Sequence, residues 1–258
     1  MSQAESDNRV MPSVQTYDYT LFGDVEEHSI DGLHQVMARR LTASWLEVPH
    51  VTHFDDVDIT DLDAYLDDAN SAGGVDTPRL SLLAVIVEAV SDTLGAFPDF
   101  NASLAADGKT LYRKVYRNIG IAVDTEAGLL VPVLHNVQDM GLESIASGIG
   151  ALAERARNGK LRNDDIEGAS FTVTSLGKLG GTGFAPIINA PEVAILGVAR
   201  AQMRPMVQDG DKVLPRLMLP LSLSYDHRVI DGAAAGRFME ALRNRLLELP
   251  GDNNGAPG

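Results

Sequence analysis

The stretch from Leu219 to Phe238 limits most tightly what this chain can become. Leu219, Leu221, Leu223 and Tyr225 fall on one face and Ser222 and Ser224 on the other, the period-2 pattern of a half-buried strand. A small-residue helical pattern begins at Ala233 and runs to Leu249. Between the two lies a tight polar corner with His227, followed four residues later by Asp231 and Gly232. An imidazole at the end of a rigid strand can be held in one orientation, and it is the side chain best suited to move a proton near neutral pH. A lone turn histidine is usually just a polar surface residue. The succession of strand, histidine, aspartate, glycine and helix points instead to chemistry.

The rest of the chain alternates strand and helix patterns without β-α regularity, which predicts an α+β fold with a mixed sheet. From Ser29, Leu33, Met37, Leu41 and Trp45 recur every four residues, predicting a helix that Pro49 ends. His50 to Ile59 reads as a strand, and Thr60 with Asp63 as a capping pair for a helix reaching Asn70. Leu80 to Leu94 predicts an apolar helix. Phe97–Leu104 and Thr110–Val115 predict a hairpin turning at Asp107-Gly108. A second strand pair, 118–124 and 129–134, turns at Glu126-Ala-Gly128, and Leu142–Asn158 is a helix stopped by Gly159. Strands are expected over 170–175, 193–199 and 213–225, with a glycine-rich loop at 176–183.

At 258 residues the chain fits one large domain over 21–249, with a flexible arm at 1–20 and a Gly/Asn/Pro-rich disordered tail at 250–258. No apolar run reaches the ~18 residues of a membrane span, and the N-terminus has no secretory pattern. The absence of cysteine excludes disulfides, thiol nucleophiles and cysteine-ligated metals, and fits a cytoplasmic protein. A net charge of -15 argues against nucleic-acid or anionic-membrane partners. His50 and His53 should point to opposite faces of their strand, so they form no metal site.

Tyr225-Asp-His-Arg-Val-Ile-Asp-Gly232 resembles the His-x-x-x-Asp-Gly motif of the catalytic domain of dihydrolipoamide acyltransferases. These are the core components of 2-oxo-acid dehydrogenase complexes. Other blocks are similar and occur in the family's order: Trp45-Leu-Glu-Val-Pro-His-Val-Thr-His-Phe54, Asn118-Ile-Gly-Ile-Ala-Val123, Gly128-Leu-Leu-Val-Pro-Val133, Ser170-Phe-Thr-Val-Thr-Ser-Leu-Gly177 and Pro186-Ile-Ile-Asn-Ala-Pro-Glu-Val-Ala-Ile-Leu-Gly-Val198. The likeness covers about residues 22 to 249, and its wording is nearest the pyruvate-type, acetyl branch. It implies a chloramphenicol-acetyltransferase-like fold, a two-layer α/β sandwich with a mixed sheet.

The resemblance also implies a chemistry, acyl transfer between a dihydrolipoyl thiol and coenzyme A. Such a transfer needs a base for the incoming thiol and an acid for the leaving one, and one histidine can serve as both. No protein nucleophile is required. By resemblance His227 is that base. The family's oxyanion donor is a hydroxyl in a block reading Phe-Thr-Ile-Ser-Asn-Leu-Gly; here the matching position is Thr174, with Ser175 as the fallback. Either Asp231 orients His227, as in triads, or it pairs with an arginine to fix the corner. The resemblance further implies a homotrimer in which His227 of one subunit faces Thr174 of its neighbour. Coenzyme A and a lipoyl group, supplied on a carrier domain or another chain, would enter from opposite ends. Arg79, which opens the helix after the 71–78 loop, is the candidate for the coenzyme A phosphates. Arg113, Lys114 and Arg117 are also basic but suit a solvated strand face. No metal is expected.

Lipoyl and subunit-binding domains usually precede this domain in the family, yet only about 20 residues do so here. The chain is expected to be either an excised core or a form served by a separate carrier. Its polar C-terminus lacks the family's apolar docking segment, so a trimer that assembles no further is expected. Two other functions fit less of the pattern. One is a same-fold acyltransferase with a small-molecule acceptor; the other is a non-catalytic scaffold subunit.

Overall fold

A computed structural model describes residues 16–30, 32–74, 77–177, 180–208 and 212–248. Residues 1–15 of the predicted arm, the whole predicted tail and the turn at 209–211 lie outside them. The first half of the chain carries α1 (Gly32–Glu47), β1 (His50–Asp58), α2 (Thr60–Ala72), α3 (Leu82–Ala96), β2 (Ala102–Leu104) and β3 (Leu111–Arg113). Four short strands follow: β4 (Ile119–Ile121), β5 (Val123–Thr125), β6 (Gly128–Leu130) and β7 (Val133–Leu134). The second half carries α4 (Leu142–Arg157), β8 (Phe171–Ser175), β9 (Ala194–Val198), β10 (Gln202–Gln208), β11 (Lys212–Asp226) and α5 (Gly232–Leu247).

The main sheet runs β1-β11-β9-β8-β4-β7, with β10 also on β11. β8 lies parallel to β4 and β9, while the other pairs are antiparallel, so the sheet is mixed as predicted. Leu219, Leu221, Leu223 and Tyr225 of β11 enter one buried core with side chains of α2, α3, α4 and α5. Ser222 and Ser224 lie on the opposite face, where Ser224 Oγ is 2.9 Å from Thr52 Oγ1 of β1. The alternation thus sorts side chains between two faces, but Ser222 and Ser224 are buried as well, so the strand expected to be half-buried is covered on both sides.

α3 is buried almost all round, which explains its apolar run; Ser81 caps it by accepting from the Ala84 amide at 3.2 Å. It therefore starts at Leu82, two residues later than the pattern suggested. Phe238 of α5 stacks on Phe100 with centroids 4.3 Å apart and meets Phe97 edge-on. That cluster occupies the stretch 97–101, expected as strand and found as a turn, so only Ala102–Leu104 pairs with β3. The 118–134 pair is split into β4–β7 and β5–β6 ladders. Pro132 has no N–H to donate, so the ladder is interrupted there, although its carbonyl still accepts from Ile121.

One local expectation fails for an identifiable reason. The Thr60/Asp63 capping pair does not form: Asp58 accepts from both the amide and the hydroxyl of Thr60 and takes Arg216 at 2.6 Å. Burial pushes the Asp58 carboxyl up, but these donors outweigh it and hold it below the ordinary range. α1 forms as its four-residue repeat predicts, ending before Pro49, yet several of its apolar residues are not covered by this chain. Leu41 and Trp45 remain exposed, Trp45 by 62%, so the helix stands largely clear of its own core.

Candidate active site

β11 delivers the chain to the histidine corner, and three sets of bonds fix the backbone there. The Asp226 amide donates to Val193 O at 2.8 Å, and the His227 amide donates to Pro49 O at 3.0 Å. Val229 and Ile230 donate back to Asp226 O, closing the turn. Arg228 clamps the buried Asp226 carboxylate through Nε at 2.9 and 3.1 Å and Nη2 at 2.6 Å, and through its own amide at 3.0 Å. A charge-assisted bidentate pair of this kind has a rigid geometry. It joins the residues on either side of His227, whose own ring is exposed. The Tyr225 ring lies beneath it at 5.9 Å.

Asp231 occupies a different role from either one the sequence suggested. Its carboxylate accepts from the Ala234 amide at 2.7 Å and caps α5. Among the described residues it bonds neither His227 nor an arginine. Burial, and next the nearby Asp231 charge, push the Tyr225 phenol up, so this carboxylate sits close behind the histidine corner.

Thr174 and His227 lie at opposite ends of the sheet. Thr174 is aligned with Gly197 of β9, and Gly197 with Ser222 of β11. His227 is five residues further along. At ~3.4 Å per residue and ~4.8 Å between strands, the two are about 17 Å apart along the strands and about 10 Å across them. One chain cannot bring both to the same substrate atom. The Thr174 side chain is half-buried, and its hydroxyl has no bond among the described residues. Ser175, on the alternate face, accepts from the Gly177 amide at 3.1 Å and so holds the entrance to the glycine loop.

The basic candidates separate in the same way. Arg113 pairs with Asp99 at 2.6 Å, Lys114 donates to Ala102 O, and Arg117 donates to Ser91 O at the C-terminal part of α3. Arg79 is exposed before α3, with no partner among the described residues. Asn101 is structural: its Nδ2 donates to the carbonyls of Lys114 and Tyr116, both at 2.8 Å. His50 bonds Val48 O and the Ile188 amide and has no metal-site geometry. No group of side chains suited to hold a metal occurs among the described residues. One feature has no local sequence signal. Glu192 is fully buried, accepts from Asn189 at 3.0 Å, and is pushed up to about 7 by burial, against the opposing effects of Thr172, Lys114 and Asn189.

Comparison with known proteins bears on this geometry. The family model of 2-oxoacid dehydrogenases acyltransferase (catalytic domain) matches residues 22–252. The chain is 51% identical over 239 residues to the dihydrolipoyllysine-residue acetyltransferase component of pyruvate dehydrogenase complex from Pseudomonas aeruginosa, covering 93% of this chain and 44% of that protein. Its counterpart from Azotobacter vinelandii is 50% identical over 232 residues, covering 90% of this chain and 36% of that protein. The chain thus spans less than half the length of these relatives. Among solved structures, Azotobacter vinelandii dihydrolipoamide acetyltransferase matches with a TM-score of 0.88 at 48% identity, covering 92% of this chain and 97% of that one. It was studied for the roles of a serine, a histidine and an asparagine in its catalytic mechanism, the last two being four residues apart. The cubic core of the pyruvate dehydrogenase multienzyme complex matches equally, with a TM-score of 0.88 at 49% identity and the same coverage.

Proposed function

The chain belongs to the family of 2-oxoacid dehydrogenase acyltransferase catalytic domains, and from that premise we propose that it moves an acetyl group between a dihydrolipoyl thiol and coenzyme A. The neutral His227 imidazole takes the proton of the attacking thiol as its sulfur adds to the thioester carbonyl. The tetrahedral oxyanion accepts a hydrogen bond from the Thr174 hydroxyl of a neighbouring copy, a type of contact worth about 3 kcal/mol. Collapse breaks the second C–S bond, and the departing thiolate recovers the proton from His227. Atoms and charge balance without a protein nucleophile, in keeping with the lack of cysteine.

The observation that carries this reading is the separation of Thr174 from His227 across β9, with each side chain still accessible. A single copy offers half of two sites, and a cyclic trimer would complete three. Asp231 stands four residues after His227, as the asparagine stands after the histidine in the Azotobacter protein. Its cap on α5 suits support of the corner. Arg79, exposed and without a partner among the described residues, is the cation we assign to the coenzyme A phosphates, in a chain whose net charge otherwise repels them. The lipoyl group arrives on a carrier domain. The domain assignment, 21–249, belongs to the same reading, as does a cytoplasmic location.

The test is to mix acetyl-coenzyme A with free dihydrolipoamide and follow the S-acetyl product, with His227→Ala as the control. Product from the wild type and its near loss in the variant are expected. A wild type that forms no product refutes the acyl-transfer reading, and equal rates remove His227 from the mechanism.

A further inference from the structure

The corner bearing His227 is moored by two carbonyls from separate parts of the chain. Pro49 O, just before β1, takes the His227 amide, and Val193 O, just before β9, takes the Asp226 amide. β1 and β9 do not pair with each other, since β11 runs between them. β11 holds each through its own ladder, with His50 opposite Asp226 and Ala194 opposite Tyr225, and a direct tie between the 48–50 and 188–193 segments adds a second constraint on the two moorings.

One side chain spans them. His50 Nδ1 lies 2.7 Å from Val48 O, and Nε2 lies 3.0 Å from the Ile188 amide nitrogen. A carbonyl can only accept and an amide can only donate, so the pair of contacts specifies a neutral ring with its proton on Nδ1. The Trp45 ring lies against the imidazole, with centroids 5.5 Å apart. The joint is reinforced by Ser44 Oγ, which donates to Ile188 O at 2.6 Å, and by a small buried cluster of Val48, Ile188 and Ile195. Beyond Ile188 the segment is held again, where Ser103 Oγ donates to Pro191 O and Asn189 donates to the buried Glu192 carboxylate.

We propose that His50 is a positioning residue for His227: by tying the 48–50 segment to the 188–193 segment it sets the distance between the two carbonyls that hold the catalytic corner. The inference rests on the acyl-transfer reading of His227. His50 touches no reacting atom in this scheme. Its loss should leave substrate binding in place and misplace the base, and a misplacement of ~1 Å can cost about 100-fold in rate.

The assembled wild type, His50→Ala and His50→Gln are compared in two measurements. The first is acetyl transfer from acetyl-coenzyme A to dihydrolipoamide, resolved into kcat and KM. The second is amide hydrogen exchange across residues 225–231, read by mass spectrometry. Glutamine can still accept from the Ile188 amide, whereas alanine cannot. In His50→Ala we expect kcat to fall at least about tenfold with KM within about twofold, and the corner amides to exchange faster. His50→Gln should recover most of both. Unchanged kcat in His50→Ala overturns the proposal, and so does a fall in kcat without faster exchange. Equal damage in both variants with a common loss of thermal stability also overturns it, because that marks a general packing role. If the wild type itself is inactive while the exchange difference and its rescue persist, the mooring stands and only the acyl-transfer reading falls.

Discussion

His227 and Thr174 project from opposite ends of one sheet, with Thr174 aligned through Gly197 to Ser222, five residues short of the histidine. No side-chain rotation closes a gap of this size. The separation is a property of strand register, and on the proposed acyl-transfer reading it calls for a second copy to complete each site.

Complementation follows from that register. His227→Ala and Thr174→Ala are each expected to be nearly inactive alone. Co-assembled in equal amounts, they should regain about a quarter of the wild-type rate, because random neighbours join an intact histidine to an intact threonine at about one interface in four. Refolding the two variants together and assaying acetyl transfer checks this, and no gain over the separate proteins would place both residues in one chain's site.

The two adjacent hydroxyls should behave differently. Thr174→Ala is expected to lower kcat about 100- to 1000-fold, the cost of removing an oxyanion donor. Ser175→Ala removes only the bond from the Gly177 amide and should cost less than about tenfold. Thr174→Ser, which keeps the hydroxyl, should retain most activity. Steady-state kinetics of the three variants decide between the hydroxyls.

Asp231 should respond as a helix cap. Asp231→Asn keeps an acceptor for the Ala234 amide and is expected to leave stability and rate close to the wild type. Asp231→Ala should cost about 1 kcal/mol of stability. Denaturant titration of both variants, paired with the transfer assay, tests this; a large rate loss in Asp231→Asn at unchanged stability would restore a direct catalytic role.

Glu192 predicts a pH trend opposite to that of an ion-paired carboxylate. Folded, it keeps its proton up to about 7, whereas an ordinary glutamate loses it near 4.5. Between those values the folded chain holds more protons than the unfolded one, so stability falls as pH rises through that window. The full contribution is present below the lower value and is lost above the higher one. Glu192→Gln, which cannot ionise, should flatten the fall in Tm between about pH 5 and 7.5. An equally steep fall in the variant would assign the trend to other groups.

Much of this arrangement was legible before the fold was known. The Asp107-Gly108 turn and the face of α4 with Ile145, Ile149, Leu152 and Ala156 are local patterns, and each is found as read; the strand at β11 is found too, but both of its faces are buried rather than one. The features that escaped depend on what lies far away in sequence. Asp58 displaces the Thr60/Asp63 cap because Arg216, on β11, holds its carboxylate beside Thr60. Glu192 gives no signal because two of the groups that act on it, Thr172 and Lys114, lie far away in sequence. The Thr174-to-Ser222 alignment depends on sheet order, which no local window contains. The setting of His50 was half visible: its strand could be read, but its bond to the Ile188 amide could not.

Three exposed apolar residues of α1 carry a thermodynamic consequence. Leu41, Trp45 and Leu46 must be hydrated on a solitary chain, and each association that covers them adds stability the lone fold lacks. Melting should then shift upward with protein concentration, since mass action couples folding to assembly. On the proposed assembly, dilution should erode endurance and turnover together, and the abundance of the chain becomes one of the variables that set its working temperature.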